Sequence, residues 1–179
     1  DVMVHINAPG NNEIMTNADG TFEFLDIPFG YDYSVVPEKD DQVVNGVNTL
    51  DMIKVQRHIL GIQALGSPYK MIAADVDGSG NISILDLVHI RKLILNVTDE
   101  FPNNTKSWKF IPADYDFSDP TDPFADDYPE ASNIDNFSES AMYSDFIAVK
   151  MGDVDNTATP NTLFVPNNDQ DDANSLVIS

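Results

Sequence analysis

The sequence predicts an α+β chain: a partial Greek-key β-sandwich, then a two-helix module of duplicated loop-helix units, then a loop-rich acidic extension. Three observations carry this. Apolar residues alternate with a period of two in the first 37 residues. Two later segments place bulky apolar residues at helical spacing, thirty-five residues apart. Beyond residue 97 the periodicity gives way to Asp, Pro, Asn and aromatics. The composition shifts divide the chain at 1–37, 38–97, 98–156 and 157–179.

From Val2 to Ile6 apolar residues alternate with others, and the pattern returns in TFEFLDIPFGYDYSVVP after the turn signal NADG. This spacing predicts three or four strands with Phe22, Phe24, Tyr31, Tyr33 and Val35 on apolar faces, interrupted at Gly20, Pro28 and Gly30. Three strands alone are marginal. The expectation is therefore that opening strands lie upstream, so that the exposed edge is filled by upstream sequence or by another chain.

TLDMIKVQRHILG and ILDLVHIRKLILN each read as an amphipathic helix. With Asp51 laid on Asp86, Leu50 matches Leu85, Met52 matches Leu87, Ile53 matches Val88, Val55 matches Ile90, Ile59 matches Ile94 and Leu60 matches Leu95. Two such helices bury both apolar stripes most cheaply by packing against one another.

In the third part, SWKFI and SDFIAVKMGD suggest short strands. The proline-bearing acidic run between them reads as a wrapping loop anchored by Trp108, Phe110, Tyr115, Phe124 and Tyr128. Residues 157–179 are polar and unpatterned, the signature of a linker to a further domain.

Nine Lys plus Arg against thirty Asp plus Glu leave a formal charge of −21, which repels nucleic acid phosphates and anionic lipid headgroups and favours cations. With no cysteine, disulfides and thiolate metal sites are excluded. No apolar run reaches the ~18 residues of a membrane span. The opening DVMVHINAPG has neither a basic start nor a signal-peptide core, so the chain is expected to begin inside a larger, processed protein.

The most informative stretch is DVDGSGNISILD, Asp75 to Asp86. Calcium takes six to eight oxygens, and a twelve-residue loop offers them at positions 1, 3, 5, 7, 9 and 12, with glycine at position 6. Counting from Asp75 puts Asp77 at 3, Ser79 at 5, Gly80 at 6 and Asn81 at 7, where it offers its carbonyl. Ser83 falls at 9, acting through a water, and Asp86 at 12. Asp in place of Glu at position 12 shortens the reach, so the following helix must sit close to the ion. The first copy is weaker. Counting back from Asp51 gives Asp40 at 1, Gln42 at 3, Val44 at 5 through its carbonyl, Gly46 at 7 and Asn48 at 9. In GDVDN, Asp153 and Asp155 begin like a third loop without the helix to complete it, and are candidates for extra ligands to a neighbouring ion.

A duplicated calcium loop with Asp at position 12, each followed by D-x-x-x-x-x-R/K-x-I-L, resembles the type I dockerin domain, an EF-hand-like module, over about Asp40 to Asn96. The preceding TNADGTFEFLDIPFGYDYSVVPEKD looks like the last strands of carboxypeptidase-regulatory-like or Cna-B-type sandwiches, which have a prealbumin-like, Ig-like fold. The order of parts is similar to regions of large secreted, multidomain bacterial surface proteins. The resemblance implies an extracellular, secreted or cell-surface module that Ca2+ stiffens for assembly or adhesion. Its partner would be another protein domain, cohesin-like, or a neighbouring subunit in self-assembly, with edge-strand exchange as one route to a fibre. Cellulosomal dockerins use small polar residues at positions 10 and 11, where this chain has Thr49, Leu50, Ile84 and Leu85. The alternatives are a true dockerin that plugs into a cohesin, and a carbohydrate-binding or hydrolase accessory domain using the acidic aromatic part. No nucleophile elbow, phosphate loop or zinc spacing is present, and His58 and His89 lie on the helices, so no enzyme activity is expected.

Overall fold

Val2, Val4 and Ile6 are buried and the residues between them less so; a strand forms where the alternation predicts one. The computed structural model describes residues 1–7, 12–138, 143–159 and 177–178. Its elements are β1 (Met3–Asn7), β2 (Asn12–Met15), β3 (Tyr33–Glu38), α1 (Thr49–Ile59), α2 (Pro68–Ala74), α3 (Ile84–Ile94), β4 (Trp108–Pro112), β5 (Ser132–Ile134), β6 (Phe146–Lys150) and β7 (Val177–Ile178). Among the described residues the chain is thus mixed α and β, with antiparallel sheets and three α-helices.

One sheet has the order β2-β1-β3-β5 and the other β4-β6-β7. In the first, Val4 lies opposite Ile14 on β2 and Pro37 on β3, and Ile6 lies opposite Val35. With both sides of β1 occupied by β2 and β3, the TFEFL segment has no place beside it and forms no strand. Phe22 and Phe24 instead pack edge to face, 6.0 Å between centroids, against the core of the sheets. Tyr33 and Val35 are buried as expected, whereas Tyr31 is half exposed.

The strands suggested by SWKFI and SDFIAVKMGD form β4 and β6, paired with Phe110 opposite Ala148. Alternation sends their side chains to two different cores. Trp108, Phe110, Phe146 and Ala148 join Val2, Val4, Ile6, Tyr33 and Val35 of the first sheet. Ile111 and Val149 join Val55, Ile72, Ile90 and Leu93 of the helices. β4 and β6 therefore form the middle layer, with apolar side chains buried on both faces. One face of the first sheet is covered by Trp108, Phe110, Phe146 and Ala148 of the same chain, while its edges are β2 and β5.

The two expected helices, α1 and α3, pack against each other. Each begins with a capping box, Asn48 with Asp51 and Ser83 with Asp86. Between them α2 was not anticipated. Seven residues are too few to show a period, but Pro68 in its first turn presets the helical φ, and Met71 to Ala74 are all buried. Tyr115, Phe117, Phe124 and Tyr128 of the acidic extension lean on the helix core, with Tyr115 and Phe117 edge-on at 5.0 Å. The linker expected at 157–179 falls mostly outside the described residues. Residues 157–159 are tied to the segment before α1, with Thr159 N–H donating to Asn45 Oδ1 at 3.1 Å. Among the described residues, no helix is long and apolar enough to cross a membrane.

Candidate metal centre

Two groups of three carboxylates stand out among the described residues. Asp75, Asp77 and Asp86 form one; Asp51, Asp153 and Asp155 form the other. In each, one oxygen per residue lies within 4.8 Å of those of the other two.

The first group is local, built from the end of α2, the loop after it and the first turn of α3. Asp75 Oδ1 accepts from the Ser79 N–H at 2.9 Å and its Oδ2 from the Gly80 N–H at 2.8 Å. Gly80 adopts φ +77°, a conformation that favours glycine. Asp77 Oδ1 accepts from the Ser79 N–H at 3.1 Å. Asp86 Oδ2 accepts from the Ser83 N–H at 2.8 Å, and its Oδ1 from the Asp77 N–H at 3.3 Å. The Asn81 carbonyl accepts from Ser79 Oγ at 3.3 Å, which places positions 5 and 7 side by side. Ser83 Oγ caps α3 by accepting from the Leu85 N–H at 3.1 Å.

The second group has the same frame, drawn from two distant pieces of chain. Asp153 Oδ1 accepts from the Thr157 N–H at 3.2 Å and its Oδ2 from the Ala158 N–H at 2.7 Å, four and five residues on, as in Asp75. Thr157 Oγ1 stands 2.7 Å from Asp155 Oδ1. Asp51 Oδ2 accepts from the Asn48 N–H at 2.8 Å, and its Oδ1 from the N–H groups of Val154 and Asp155 at 2.8 and 3.0 Å. By analogy with the first loop, 153–158 supply positions 1 to 6 and 46–51 supply positions 7 to 12. The helix missing after GDVDN is α1. The residues leading into the two Asp-Val-Asp runs touch, with the Gly152 N–H donating to the carbonyl of Ala73 in α2 at 2.7 Å.

The first half of the expected first loop lies elsewhere. Asp40 Oδ1 accepts from the Ser107 N–H at 2.9 Å and its Oδ2 pairs with Lys106 at 3.3 Å, so Asp40 is not in the Asp51 group. Gln42 takes φ +49° at a turn closed by the Asn45 N–H on its carbonyl at 2.8 Å. Gly46, by contrast, borders the group: its carbonyl accepts from Asn48 Nδ2 at 2.9 Å and lies 3.0 Å from Thr157 Oγ1. Sequence reading missed Thr157, Ala158 and the pairing of the two half-loops. The signals were the repeated Asp-Val-Asp of 75–77 and 153–155, and the complementary defects of a helix without a full loop and a loop without a helix.

Electrostatically both groups are loaded with like charge. Burial raises Asp75, Asp86 and Asp153 above the ordinary carboxylate range, and brings Asp51 to about 6, with Asp155 and Asp153 pushing the same way. Asp77 is also penalised by burial, but hydrogen bonding with Ser79 and Asp75 outweighs this and leaves it lowered. Near the second group Lys150 is buried, donating to the Val43 and Met151 carbonyls at 2.8 and 3.1 Å. Burial lowers it to about 8 against the pull of Asp153 and Asp41. Among the described residues, no other lysine is as buried as Lys150.

Oxygen-only donors, three clustered carboxylates and loops with neighbouring carbonyls suit a hard divalent cation of calcium's size. Comparison of the chain with family models, with curated proteins and with solved structures returned no match.

Proposed function

We propose that the chain is a calcium-binding structural and interaction module of a secreted or cell-surface multidomain bacterial protein, without enzyme activity. One ion is held by Asp75, Asp77, Asp86, Ser79 and the Asn81 carbonyl. A second is held by Asp51, Asp153 and Asp155 with the Gly46 carbonyl. In this reading α1 and α3 with their loops are a dockerin-like pair whose first loop is completed by 153–158, and the sheets are a Greek-key, prealbumin-like sandwich. The observation that carries it is the same three-carboxylate frame occurring twice, once on a loop that offers an oxygen donor at every ligand position of the calcium pattern, with Asp86 in place of Glu at position 12. Three clustered carboxylates, all buried in the first group and two of three in the second, repel one another until a divalent cation neutralises them, so binding free energy becomes folding free energy.

The second site does more for the architecture than the first. Asp51 and Val154 are 103 residues apart in sequence, so an ion there clips the sheet to the helix pair. The partner is another protein domain or a neighbouring subunit, met by the outward faces of α1 and α3.

Calorimetric titration with calcium, beside thermal melts in calcium and in chelator, tests this. Two ions per chain and a large rise in melting temperature are expected. Asp75→Asn and Asp153→Asn should each remove one ion, while Asp40→Asn should keep both. Absence of both heat and thermal shift would sink the reading. Loss of an ion with Asp40→Asn but not with Asp153→Asn would move the second site back to the contiguous loop.

A further inference from the structure

The carboxylate groups take no part of the outward faces of α1 and α3, whose exposed residues repeat at the thirty-five-residue offset. Leu50, Ile53, Arg57 and Leu60 on and just after α1 match Leu85, Val88, Lys92 and Leu95 on and just after α3. Spacings of three and four put each set on one stripe. The six apolar members are 40% to 62% exposed. Repeated large apolar residues on a face mark a contact surface.

Charge singles out the same helices. Of the nine Lys and Arg, Lys39, Lys106 and Lys109 are held in ion pairs and Lys150 is buried on carbonyls. The other five make no ion pair among the described residues, and four of them, Lys54, Arg57, Arg91 and Lys92, lie on α1 and α3. On a chain of charge −21 this is a cationic, apolar island.

A surface of opposite character lies on the loop before β3. Leu25, Phe29 and Tyr31 are 69%, 60% and 51% exposed, among exposed Glu23, Asp26 and Asp32, and residues 1–38 contain no Lys or Arg. The loop is held in shape. Tyr33 Oη donates to the Pro28 carbonyl at 2.7 Å, the Gly30 N–H to the Phe137 carbonyl at 2.8 Å, and Phe29 stacks on Phe137 at 5.3 Å.

We infer that the α1 and α3 stripes of one copy dock on the Leu25–Asp32 loop of a second copy. Apolar side chains meet apolar ones, and Arg57 and Lys92 meet Asp26 and Asp32. Stripe against stripe would set Arg57 and Lys92 against like charge. Because two different surfaces join, each copy keeps one of each kind free, and the contact extends head to tail. The inference rests on the reading of the chain as an interaction module and names its partner.

Sedimentation of the full chain in millimolar calcium, over a wide concentration range, is the test. Association rising with concentration is expected. It should be lost in Leu50→Ser/Leu85→Ser and in Phe29→Ser/Tyr31→Ser, each with its thermal stability in calcium retained. An equimolar mixture of these two variants should form one-to-one dimers, since each carries one intact surface. As a second route, Arg57→Glu/Lys92→Glu should stay monomeric alone and associate with Asp26→Lys/Asp32→Lys. A native chain that is monomeric at every concentration, association that survives either serine pair, or mixtures that stay monomeric would each overturn the inference. Monomers that take up calcium defeat this inference alone; no calcium uptake defeats the calcium reading however the chain sediments.

Discussion

Gly46 shows how a single residue lets two distant chain segments, 46–51 and 153–158, come together. Its φ is +77°, and a Cβ there would lie 2.5 Å from Asp153 Oδ2 and 2.6 Å from both the N and Cα of Ala158. Two of these are backbone atoms that cannot step aside, so the residue is dictated by a chain segment more than a hundred positions away. Gly46→Ala is expected to cost about 3 kcal/mol from backbone strain and overlap together, and to lower calcium stoichiometry from two to one. Denaturant melts with calorimetry check this; an unchanged midpoint and two ions would show that 153–158 does not press on Gly46.

At the scale of elements, α1 and α3 are the same device used twice, but their caps carry different loads. Ser83 caps α3 within its own loop. Asn48 caps α1 by accepting from the Leu50 N–H at 2.8 Å, and its Nδ2 also reaches the Gly46 carbonyl at 2.9 Å and Asp155 Oδ2 at 3.3 Å. Ser83→Ala should therefore cost about 1 kcal/mol, an ordinary capping loss, and Asn48→Ala roughly twice that, since contacts to a second segment go with it. Equal losses in denaturant titrations would deny Asn48 its bridging role. These helices were legible because apolar residues at helical spacing, a capping residue and Asp at the third helical position are all local signals. Within the Asp75–Asp86 loop, ligand spacing is local too. The TFEFL run misled because alternation reports a half-buried segment, and Phe22 and Phe24 are half buried without a ladder partner beside β1.

For the whole molecule, the buried carboxylates set the dependence on pH. In chelator, folded Asp51 keeps its proton up to about 6, whereas in the unfolded chain it ionises near the ordinary value of 3.8. The folded state binds more protons between these values, so stability falls as pH rises through that window. Asp75, Asp86 and Asp153 are raised in the same direction, Asp77 trims the effect, and the net charge of −21 adds to it. Without calcium the melting temperature should be higher at pH 5 than at pH 7. With calcium the order should reverse, because the ion needs ionised ligands and its contribution fades as pH falls below about 6. Parallel pH profiles in both conditions would contradict this account of the two clusters. The chain's local patterns were enough to define its α+β class, the duplicated helices, the central strands and one complete twelve-residue loop, since each depends on spacing within a dozen or so residues. Which loop completes Asp51 was decided in three dimensions. β6, wedged between the first sheet and the helices, delivers Asp153 and Asp155 to the first turn of α1, and burial of Val154 in the same core as Val55 rewards that arrangement over Asp40. No local spacing encodes a contact whose free energy comes from packing segments a hundred residues apart.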